Sequence, residues 1–428
     1  MTDPVEGRLG DAPRRPAPGL RVVLDARPLQ SPDRAPLGAA YLAGLLGAFD
    51  AAPLAGESFA FLIASDLDDP TVTYRHLSVV GRRQLPPTRL LRSGSMTVDP
   101  FLLRGAEVGA AWRAERGGAA GAVYHAVGGA SLPIASDLPV VVTLLDLAPW
   151  ELPDAFAGTI ATRFGQRLRT QLLRDAARII VGSEATGRAA RHLLHLRRDR
   201  VRVVPFAPRP AFGVAVTAAD RRAAAGLRER LGLGERYLVF SGRFDARMDI
   251  ATLLTALASL ATSARPDGLA AEAPWPPRLL VVGASPEDRA AVARLAARKS
   301  VGDALAYAPG LPTHDLAALV RAARGVILPV LSEAVGLPVI EALAAGTPVV
   351  ASAVGPLPEL VGPAGLLVEP RDPDRLAVAL ATMWADDTVH ASLATAVRDR
   401  AAQPLRTWSD VAEDTRAVYA EVGLRRRG

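Results

Sequence analysis

The 428-residue sequence has no cysteine and a single lysine, Lys299. The absence of cysteine excludes disulfides, thiolate metal sites and a cysteine nucleophile. Aromatic residues make up only 5% of the chain, so the sequence offers no obvious aromatic platform for stacking on a ligand ring. No uncharged apolar run reaches the length of a transmembrane helix. The first 19 residues also lack an apolar segment, so we expect a flexible tail there and not a secretory signal.

Hydrophobic residues make up 50% of the chain, which is enough for a large core in two domains of ordinary size. The net charge is +6 and comes almost entirely from arginine. Nucleic acid is not expected as a partner, because the basic residues are not interleaved with aromatic ones and no nucleic-acid-binding motif is present. The arginines suit acidic lipids, phosphate-bearing substrates or solvated helix faces. They cluster at residues 82–83, 89, 92, 163–178 and 188–202.

Short β-rich runs alternate with helical patterns along the chain. The pattern starts with a buried strand at 20–25 and a helix at 37–49, and it starts again with a strand at 237–241 and a helix at 250–262. Such alternation predicts parallel sheets covered on both faces, in two doubly wound units that join near residues 206–214. Ligands in these folds bind beyond the carboxyl ends of the strands. The other predicted strands are 59–65, 122–125, 140–144, 178–182, 201–205, 278–283, 325–329 and 348–351, and the other predicted helices are 161–177, 186–196, 287–299, 315–323 and 338–345.

The most informative segment, residues 332–352, carries two glutamates eight positions apart around a Gly-Leu-Pro turn. Pro338 suits the first turn of a helix, where its missing N–H costs nothing, and Gly346 suits the end of that helix. Glu333 is then predicted in the loop before the helix, and Glu341 about one turn inside it. A helix N-terminus attracts phosphate, and two carboxylates beside it can accept hydrogen bonds from sugar hydroxyls. The segment therefore predicts a nucleotide-sugar site.

This segment resembles the donor-binding motif of retaining glycosyltransferases of family 4, with Ala334 and Val335 in place of the family's Gly-Phe pair. The resemblance covers nearly the whole chain after residue 20. It implies an α/β chain with the GT-B fold, in which two Rossmann-like, doubly wound domains face each other across a cleft. The other matching segments are 24–29, 181–186 (with Ser183 as a natural N-cap), 201–205 and 407–422.

The resemblance also implies the domain limits. Residues 1–19 are the flexible tail, and residues 20–207 form an N-terminal domain that binds the acceptor. Residues 208–395 form a C-terminal domain that binds the nucleotide-sugar. Residues 396–428 then carry a helix that crosses back to the N-terminal domain.

The site residues follow from matching positions in the family motif. Glu333 corresponds to the glutamate that contacts the transferred sugar, and Glu341 to the glutamate that binds the nucleotide ribose. The backbone N–H groups of Gly336 and Leu337 correspond to the cradle of the donor phosphates. In the first domain, Asp146 is the retained half of a His-Asp pair. We therefore expect Glu333 and Asp146 to carry the catalytic roles.

The cations that bind the donor diphosphate depart in part from the family pattern. Arg243 corresponds to the family arginine, but Met248 occupies the family lysine position. Arg247 is the neighbouring candidate for a cation there, although arginine and lysine are not equivalent. The histidine of the His-Asp pair is replaced by Leu145. In the first domain, Gly38 is the glycine whose backbone is expected to approach the donor phosphate closely.

The leading interpretation is a glycosyltransferase that moves a hexose, with retention, from a nucleotide-diphosphate sugar to a hydroxyl acceptor in glycan or polysaccharide biosynthesis. The resemblance implies that no metal or other cofactor is needed. The acceptor is expected to be lipid-linked or a polysaccharide precursor. We expect a cytoplasmic protein, and peripheral contact with the inner face of the membrane through the arginine clusters is a further option.

Leu145 and Met248 motivate an alternative, a non-catalytic pseudo-glycosyltransferase that acts as a binding or scaffolding partner in glycan assembly. A sugar-nucleotide epimerase on the same fold is a third option. The enzyme interpretation predicts that Arg243 or Arg247 points into the cleft, whereas both arginines turned to solvent would favour the scaffold.

The histidines give no metal signature. His192 and His195 lie three positions apart on a predicted helix but lack a nearby carboxylate triad, so a surface pair is expected there. His125 follows a buried strand pattern and is interpreted either as a cleft residue or as a core residue.

Overall fold

The computed structural model describes residues 19–86, 99–106, 121–213, 217–242 and 244–423. Contact density divides the chain into two compact units. The first comprises Met1–Val142, Asp175–Ile179 and Ala412–Gly428, and the second comprises Thr143–Arg174 and Ile180–Val411. The described residues form two β-sheets with interleaved helices, as the alternating sequence pattern predicts.

The first sheet has seven strands in the order β3-β2-β1-β4-β5-β6-β7. Its strand β1 is buried along its whole length and pairs in parallel with β2 and β4. Because both faces of β1 are covered, its sequence reads as a nearly continuous apolar run. The strands are β1 Leu20–Asp25, β2 Ser58–Ala64, β3 Val79–Leu85, β4 Gly121–Val127, β5 Val140–Thr143, β6 Arg178–Val181 and β7 Val201–Val203.

The second sheet has six strands in the order β10-β9-β8-β11-β12-β13, and all five pairings are parallel. The strand order reverses at β8, which lies next to β9 and β11. Ligands of open α/β sheets bind beyond the carboxyl ends of the strands at such a reversal. The strands are β8 Leu238–Ser241, β9 Leu279–Val282, β10 Leu305–Ala308, β11 Gly325–Leu328, β12 Val349–Ser352 and β13 Gly365–Val368.

Fifteen helices accompany these strands within the described residues, and residues 99–106 are also helical. None of the described helices is long and apolar enough to cross a membrane. The helices are α1 Arg27–Gln30, α2 Pro36–Ala51, α3 Ala148–Glu151, α4 Pro153–Phe156, α5 Ile160–Asp175, α6 Glu184–Leu194, α7 Ala218–Arg230, α8 Ile250–Thr262, α9 Pro286–Arg298, α10 Thr313–Ala322, α11 Leu337–Ala344, α12 Leu357–Val361, α13 Pro373–Ala385, α14 Asp387–Ala401 and α15 Trp408–Gly423.

Side-chain alternation along the second sheet creates two apolar cores, one on each face. Val239 of β8 belongs to one core and Phe240 to the other. Helices α10 and α11 cover the first face, and α8 and α13 cover the second, with Trp384 among the largest fully buried side chains. The two faces are therefore closed by helices, and the carboxyl edge of the sheet is where polar loops gather.

Inside the first unit, the C-terminal helix α15 packs on the sheet through buried polar contacts. The Oη of Tyr419 lies 2.7 Å from Nδ1 of His125 on β4, and Arg416 forms a buried ion pair with Glu57. Burial lowers the pKa of His125 to about 3. His125 is therefore a neutral core histidine, which resolves the choice that the sequence left open.

Candidate functional site

The segment from β11 to α11 is the centre of the candidate site, and it folds as the sequence predicts. Helix α11 starts at Leu337, with Pro338 in its first turn, and ends two residues before Gly346. Gly336 is the N-cap, with a left-handed φ of 72°. A Cβ on Gly336 would lie 2.6 Å from Leu360 Cδ1, so both its conformation and its packing require glycine.

The Glu333 carboxylate closes the turn that leads into α11. Its Oε1 accepts hydrogen bonds from the backbone N–H groups of Ala334, Val335 and Gly336, at 3.0, 2.9 and 2.9 Å. Successive N–H groups that converge in this way form an anion-binding concavity. The predicted phosphate donor of Gly336 is thus engaged by the chain's own carboxylate, whereas Leu337, the first residue of the helix, is not among the donors to Glu333.

Three neighbours fix the position of this turn. The hydroxyl of Ser332, the residue before Glu333, donates to Glu151 Oε2. Thr186 Oγ1, in the first turn of α6, donates to the Ala334 carbonyl at 2.8 Å. A Cβ on Gly355, whose φ is 53°, would lie only 2.0 Å from the Glu333 carbonyl oxygen. The turn is therefore held by three separate segments, and its side chains have little freedom.

Arg247 supplies a cation beside these carboxylates. Its Nη1 lies 2.8 Å from Asp146 Oδ2, its other nitrogens bond to Asp245, and its side chain is only 11% exposed. The guanidinium carbon also lies over the Phe156 ring, 5.8 Å from the ring centroid. The guanidinium interacts electrostatically with the negative charge of Glu333. Arg247 is thus not turned to solvent. Arg243, the other predicted cation, lies outside the described residues.

The backbone next to Arg247 explains the departure at position 248. Met248 forms an isolated antiparallel bridge with Val330, and the Leu331 N–H donates to the Arg247 carbonyl at 2.7 Å. Met248 packs against both apolar cores, and its Cε would lie 2.8 Å from a Cβ on Gly242. Arg247 lies in the turn that the Met248 N–H closes on the Asp245 carbonyl at 3.0 Å, so the side chain at 248 contacts the apolar cores while that of Arg247 reaches Asp146.

Asp146 is positioned by the start of α3. Its Oδ1 accepts a hydrogen bond from the Ala148 N–H at 2.9 Å, while Oδ2 pairs with Arg247. Leu145, at the family histidine position, is 4% exposed and belongs to the apolar interior. The structure thus brings Asp146, Arg247 and Glu333 together and offers no basic or nucleophilic group at position 145.

Glu151 joins this group and was not singled out from the sequence. Burial raises the pKa of its carboxyl, the neighbouring charges of Asp146 and Glu333 raise it further, and the hydrogen bond from Ser332 opposes them. Glu151 is therefore coupled to the same carboxylates, Asp146 and Glu333, that act on the Arg247 guanidinium. The sequence held no signal for this role, because a glutamate at the end of a one-turn helix resembles any exposed acidic residue.

The second glutamate, Glu341, is bound by an arginine that the sequence analysis missed. Arg209 Nη2 donates to Glu341 Oε2 at 2.9 Å, and Arg209 Nε donates to Oε1. The Glu341 side chain is 6% exposed. Burial raises the pKa of Glu341, and Arg209 opposes that shift. The two partners are 132 positions apart, and the only local hint is an arginine set between two prolines.

Other predicted positions lie elsewhere. Gly38 is in α2 of the first unit, where a Cβ would lie 3.3 Å from Pro28 Cβ, so close packing on α1 accounts for the glycine. His195 ends α6 in a left-handed conformation, next to the exposed His192. Within the described ranges, no group of three or more histidine, aspartate or glutamate side chains is arranged to hold a metal ion.

Comparison with solved structures defines the fold. The chain resembles sucrose-phosphate synthase of Thermosynechococcus elongatus, with a TM-score of 0.67, 23% identity and coverage of 94% of this chain and 98% of that one. It also resembles HepE of Anabaena, solved with UDP and glucose, with a TM-score of 0.65, 17% identity and coverage of 94% and 99%. The architecture is that of GT-B glycosyltransferases.

Comparison of sequences defines the family. Residues 235–386 match the model of glycosyl transferases group 1. A D-inositol 3-phosphate glycosyltransferase of Xylanimonas cellulosilytica is 31% identical over 300 residues, 68% of each chain. The chain therefore belongs to the group 1 glycosyltransferase family.

Other relatives align over shorter stretches. A protein of the same name from Stackebrandtia nassauensis is 31% identical over 66% of this chain and 61% of its own length. An MMP alpha-(1->4)-mannosyltransferase of Mycolicibacterium hassiacum is 39% identical over 29% of this chain and 31% of its own length. The chain thus spans less than two thirds of the length of these two relatives.

Proposed function

We propose that the protein is a retaining glycosyltransferase that transfers a hexose from a nucleotide-diphosphate sugar to a hydroxyl acceptor in glycan or polysaccharide biosynthesis. The observation that carries the proposal is the position of Arg247, which is bonded to Asp146 and lies within the field of Glu333. A cation held among carboxylates at the carboxyl edge of a parallel sheet suits a ligand with both phosphates and hydroxyls.

The chemistry that we propose divides between the cation and the carboxylates. As the bond between the anomeric carbon and the phosphate oxygen breaks, negative charge accumulates on the diphosphate. In the part of the chain that the structure describes, Arg247 is the cation that can stabilise this charge. The anomeric centre becomes positively charged, and Glu333 and Asp146 are the carboxylates that can bind the sugar hydroxyls beside it. The acceptor oxygen forms the new bond to the anomeric carbon, and its proton passes to the departing diphosphate oxygen.

The division of labour within Glu333 supports this assignment. Its Oε1 is committed to three backbone N–H groups, which orients the carboxylate without using any side-chain partner. We propose that Oε2 accepts a hydrogen bond from the transferred sugar. Leu337 and the N-terminus of α11 remain the proposed contact with the donor phosphate, since the Gly336 N–H is engaged by Glu333.

The known relatives support a sugar-nucleotide donor. Their names describe glycosyl and mannosyl transfer, and the structure of HepE contains UDP and glucose. We propose the same donor class here, a reaction without metal, and a hydroxyl acceptor that is lipid-linked or part of a polysaccharide.

For location, we propose the cytoplasm, with peripheral contact at the inner face of the membrane through the arginine-rich segments. Helix α5 supports this contact, because its exposed Ile160 and Phe164 lie beside the exposed Arg163 and Arg167. Apolar and basic side chains on one exposed helix face suit an anionic lipid surface.

Thermal shift with a panel of nucleoside diphosphates and their sugars tests the donor site, since a ligand that binds the native state raises its stability. Glu341→Ala and Arg243→Ala are the control variants. One nucleotide class should shift the wild type and neither variant. A transfer assay with that class, run with and without EDTA and read by the anomeric configuration of the product, then tests retention and the absence of a metal.

The scaffold alternative makes the opposite prediction in the same assay. Leu145 is buried in an apolar environment, but Arg247 and both spaced glutamates are held in defined hydrogen-bond networks. No thermal shift with any nucleotide would favour the non-catalytic protein over the enzyme.

A further inference from the structure

The pair formed by Arg209 and Glu341 is built more elaborately than a surface ion pair. Two guanidinium nitrogens face the two carboxylate oxygens, which fixes the relative orientation of both groups. The third nitrogen, Nη1, donates to Thr313 Oγ1 at 3.1 Å. The guanidinium carbon also lies over the Phe212 ring, 5.2 Å from its centroid. Arg209 is therefore held by three groups of the second unit: the Glu341 carboxylate, the Thr313 hydroxyl and the Phe212 ring.

The location of these segments matters for ligand binding. Thr313 is the first residue of α10, which follows β10, and Glu341 lies in α11, which follows β11. Both helices begin at the carboxyl edge of the second sheet, where the proposed donor binds. Arg209 thus links the two helices that begin at this edge.

Glu341 needs a partner if it is to accept hydrogen bonds as a carboxylate. A buried carboxylate without a cation takes up a proton, because burial disfavours the charged form. Among the described residues, the one charged side chain that acts on Glu341 is Arg209. The other charged groups on the elements around α11 have different partners. His314 faces Asp220 and Asp315, and Arg321 donates to the Ala211 carbonyl. Arg400 donates to the Leu360 carbonyl, and Glu359 accepts a hydrogen bond from the Ala185 N–H.

The arginine also keeps donor capacity for a ligand. A guanidinium carries five N–H groups, and the bonds to Glu341 and Thr313 use three of them. Its side chain is 29% exposed, whereas that of Glu341 is 6% exposed. The exposed part of the pair is therefore the arginine.

We propose that Arg209 is a positioning and recognition residue of the donor site, which holds Glu341 in a fixed orientation for the ribose hydroxyls of a nucleoside diphosphate and donates a remaining N–H to the same nucleoside. This inference rests on the proposed function. It assigns to the donor site a residue from the segment between β7 and α7, outside the motif around α11.

The test measures UDP binding by calorimetry between pH 6 and pH 9, with ADP and GDP in parallel, for the wild type and for Arg209→Gln and Arg209→Lys. We expect Arg209→Gln to bind about tenfold or more weakly at pH 7, as for a lost hydrogen bond to a charged group. Its affinity should recover as the pH rises, because the unpaired Glu341 then loses its proton. The wild type should show no such recovery. The lysine variant restores the charge but not the two-point contact, so it should bind more tightly than Arg209→Gln but more weakly than the wild type.

Two comparisons separate recognition from a structural role. With 2′-deoxyUDP, which lacks one ribose hydroxyl, the penalty of Arg209→Gln should shrink. In the double variant with Glu341→Gln, the recovery at high pH should disappear. Arg294→Gln, an exposed arginine of α9, is the matched control and should leave binding unchanged. Circular dichroism and the melting temperature report whether each variant is folded.

The outcomes are distinct. If Arg209→Gln melts at a lower temperature but binds UDP with unchanged affinity and no pH dependence, Arg209 is a structural link and the inference is wrong. If the wild type binds none of UDP, ADP, GDP and their sugars, the proposed function itself is wrong, and so is the role proposed for Arg209.

Discussion

Glu333 and Glu341 stand eight residues apart in one loop and helix, yet they are held in opposite ways. Glu333 is bound by three N–H groups of the next three residues, a contact made within its own turn. Glu341 is bound by the side chain of Arg209, 132 positions away. Similar carboxylates in one motif can therefore depend on different parts of the chain for their orientation, and different substitutions can disturb each of them.

The two arginines repeat this contrast. Arg247 lies beside Asp245 in sequence and reaches Asp146 in space, so its charge is shared among several carboxylates. Arg209 serves a single carboxylate and is clamped to it. We expect loss of Arg247 to act mainly on the reaction and loss of Arg209 to act mainly on donor binding.

Arg247→Ala removes the positively charged guanidinium that lies beside the carboxylates of the candidate site. We expect turnover in a sugar-transfer assay to fall by roughly 10²–10³-fold, the usual cost of losing a group that stabilises charge in the transition state. Arg247→Lys should restore part of the rate. Arg294→Ala on the surface of α9 is the control. A rate within a factor of three of wild type would remove Arg247 from the mechanism.

Glu333→Gln and Glu341→Gln each replace a carboxylate with a neutral amide of nearly the same shape. In Glu333→Gln, the amide oxygen can still accept the three N–H groups, so we expect unchanged stability but turnover reduced by roughly 10²-fold. In Glu341→Gln, Arg209 loses its charged partner, so we expect the free energy of unfolding to fall by about 1–3 kcal/mol together with donor affinity. Urea unfolding and transfer kinetics on both variants check this, and equal losses of stability would refute the contrast.

Met248→Lys restores the family residue at a position that faces the apolar cores. We expect the free energy of unfolding to fall by about 1–2 kcal/mol because a charged side chain replaces the apolar contacts that the partly buried Met248 makes with the two cores, and no gain in turnover. Met248→Leu should be nearly neutral. A lysine variant with higher turnover than wild type would show that the position faces the donor after all.

Glu151→Gln gives the smallest effect, on the pH dependence of stability. Burial raises the pKa of Glu151 above 4.5, so the folded state binds this proton more tightly than the unfolded state. The resulting stabilisation is complete below pH 4.5 and is lost as the pH rises through the folded-state pKa. Urea unfolding at several pH values should therefore show a flatter dependence above pH 4.5 in Glu151→Gln than in the wild type. The exposed Glu272→Gln is the control, and identical curves for all three proteins would contradict the assignment.

Periodicity and turn chemistry were sufficient for most of the fold. Helix α8 is found at the predicted residues, and β1 likewise, because continuous apolar runs and buried helix faces leave few alternatives. Among the elements that the sequence patterns did not predict are β3, β10, β13, α7, α13 and α14. Strand β13 is a four-residue edge strand with one buried residue, so its pattern carries little signal, and its assignment depends on pairing with β12.

The candidate site divides along the same line. A turn closed by its own backbone, such as Glu333 to Gly336, is encoded locally, because glycine, proline and a capping carboxylate act over a few residues. The orientation of the Met248 side chain could not be predicted from the sequence, since it depends on the bridge between Met248 and Val330.

Local sequence patterns were enough to predict the alternating sheets, the helix that follows the first glutamate and the family to which the chain belongs. The contacts of Arg247 with Asp146, of Ser332 with Glu151 and of Arg209 with Glu341 are visible only in the folded chain. The reason is that local structure follows from interactions between near neighbours, whereas ion pairs across 100 or more positions form only after the sheets bring distant loops to one edge.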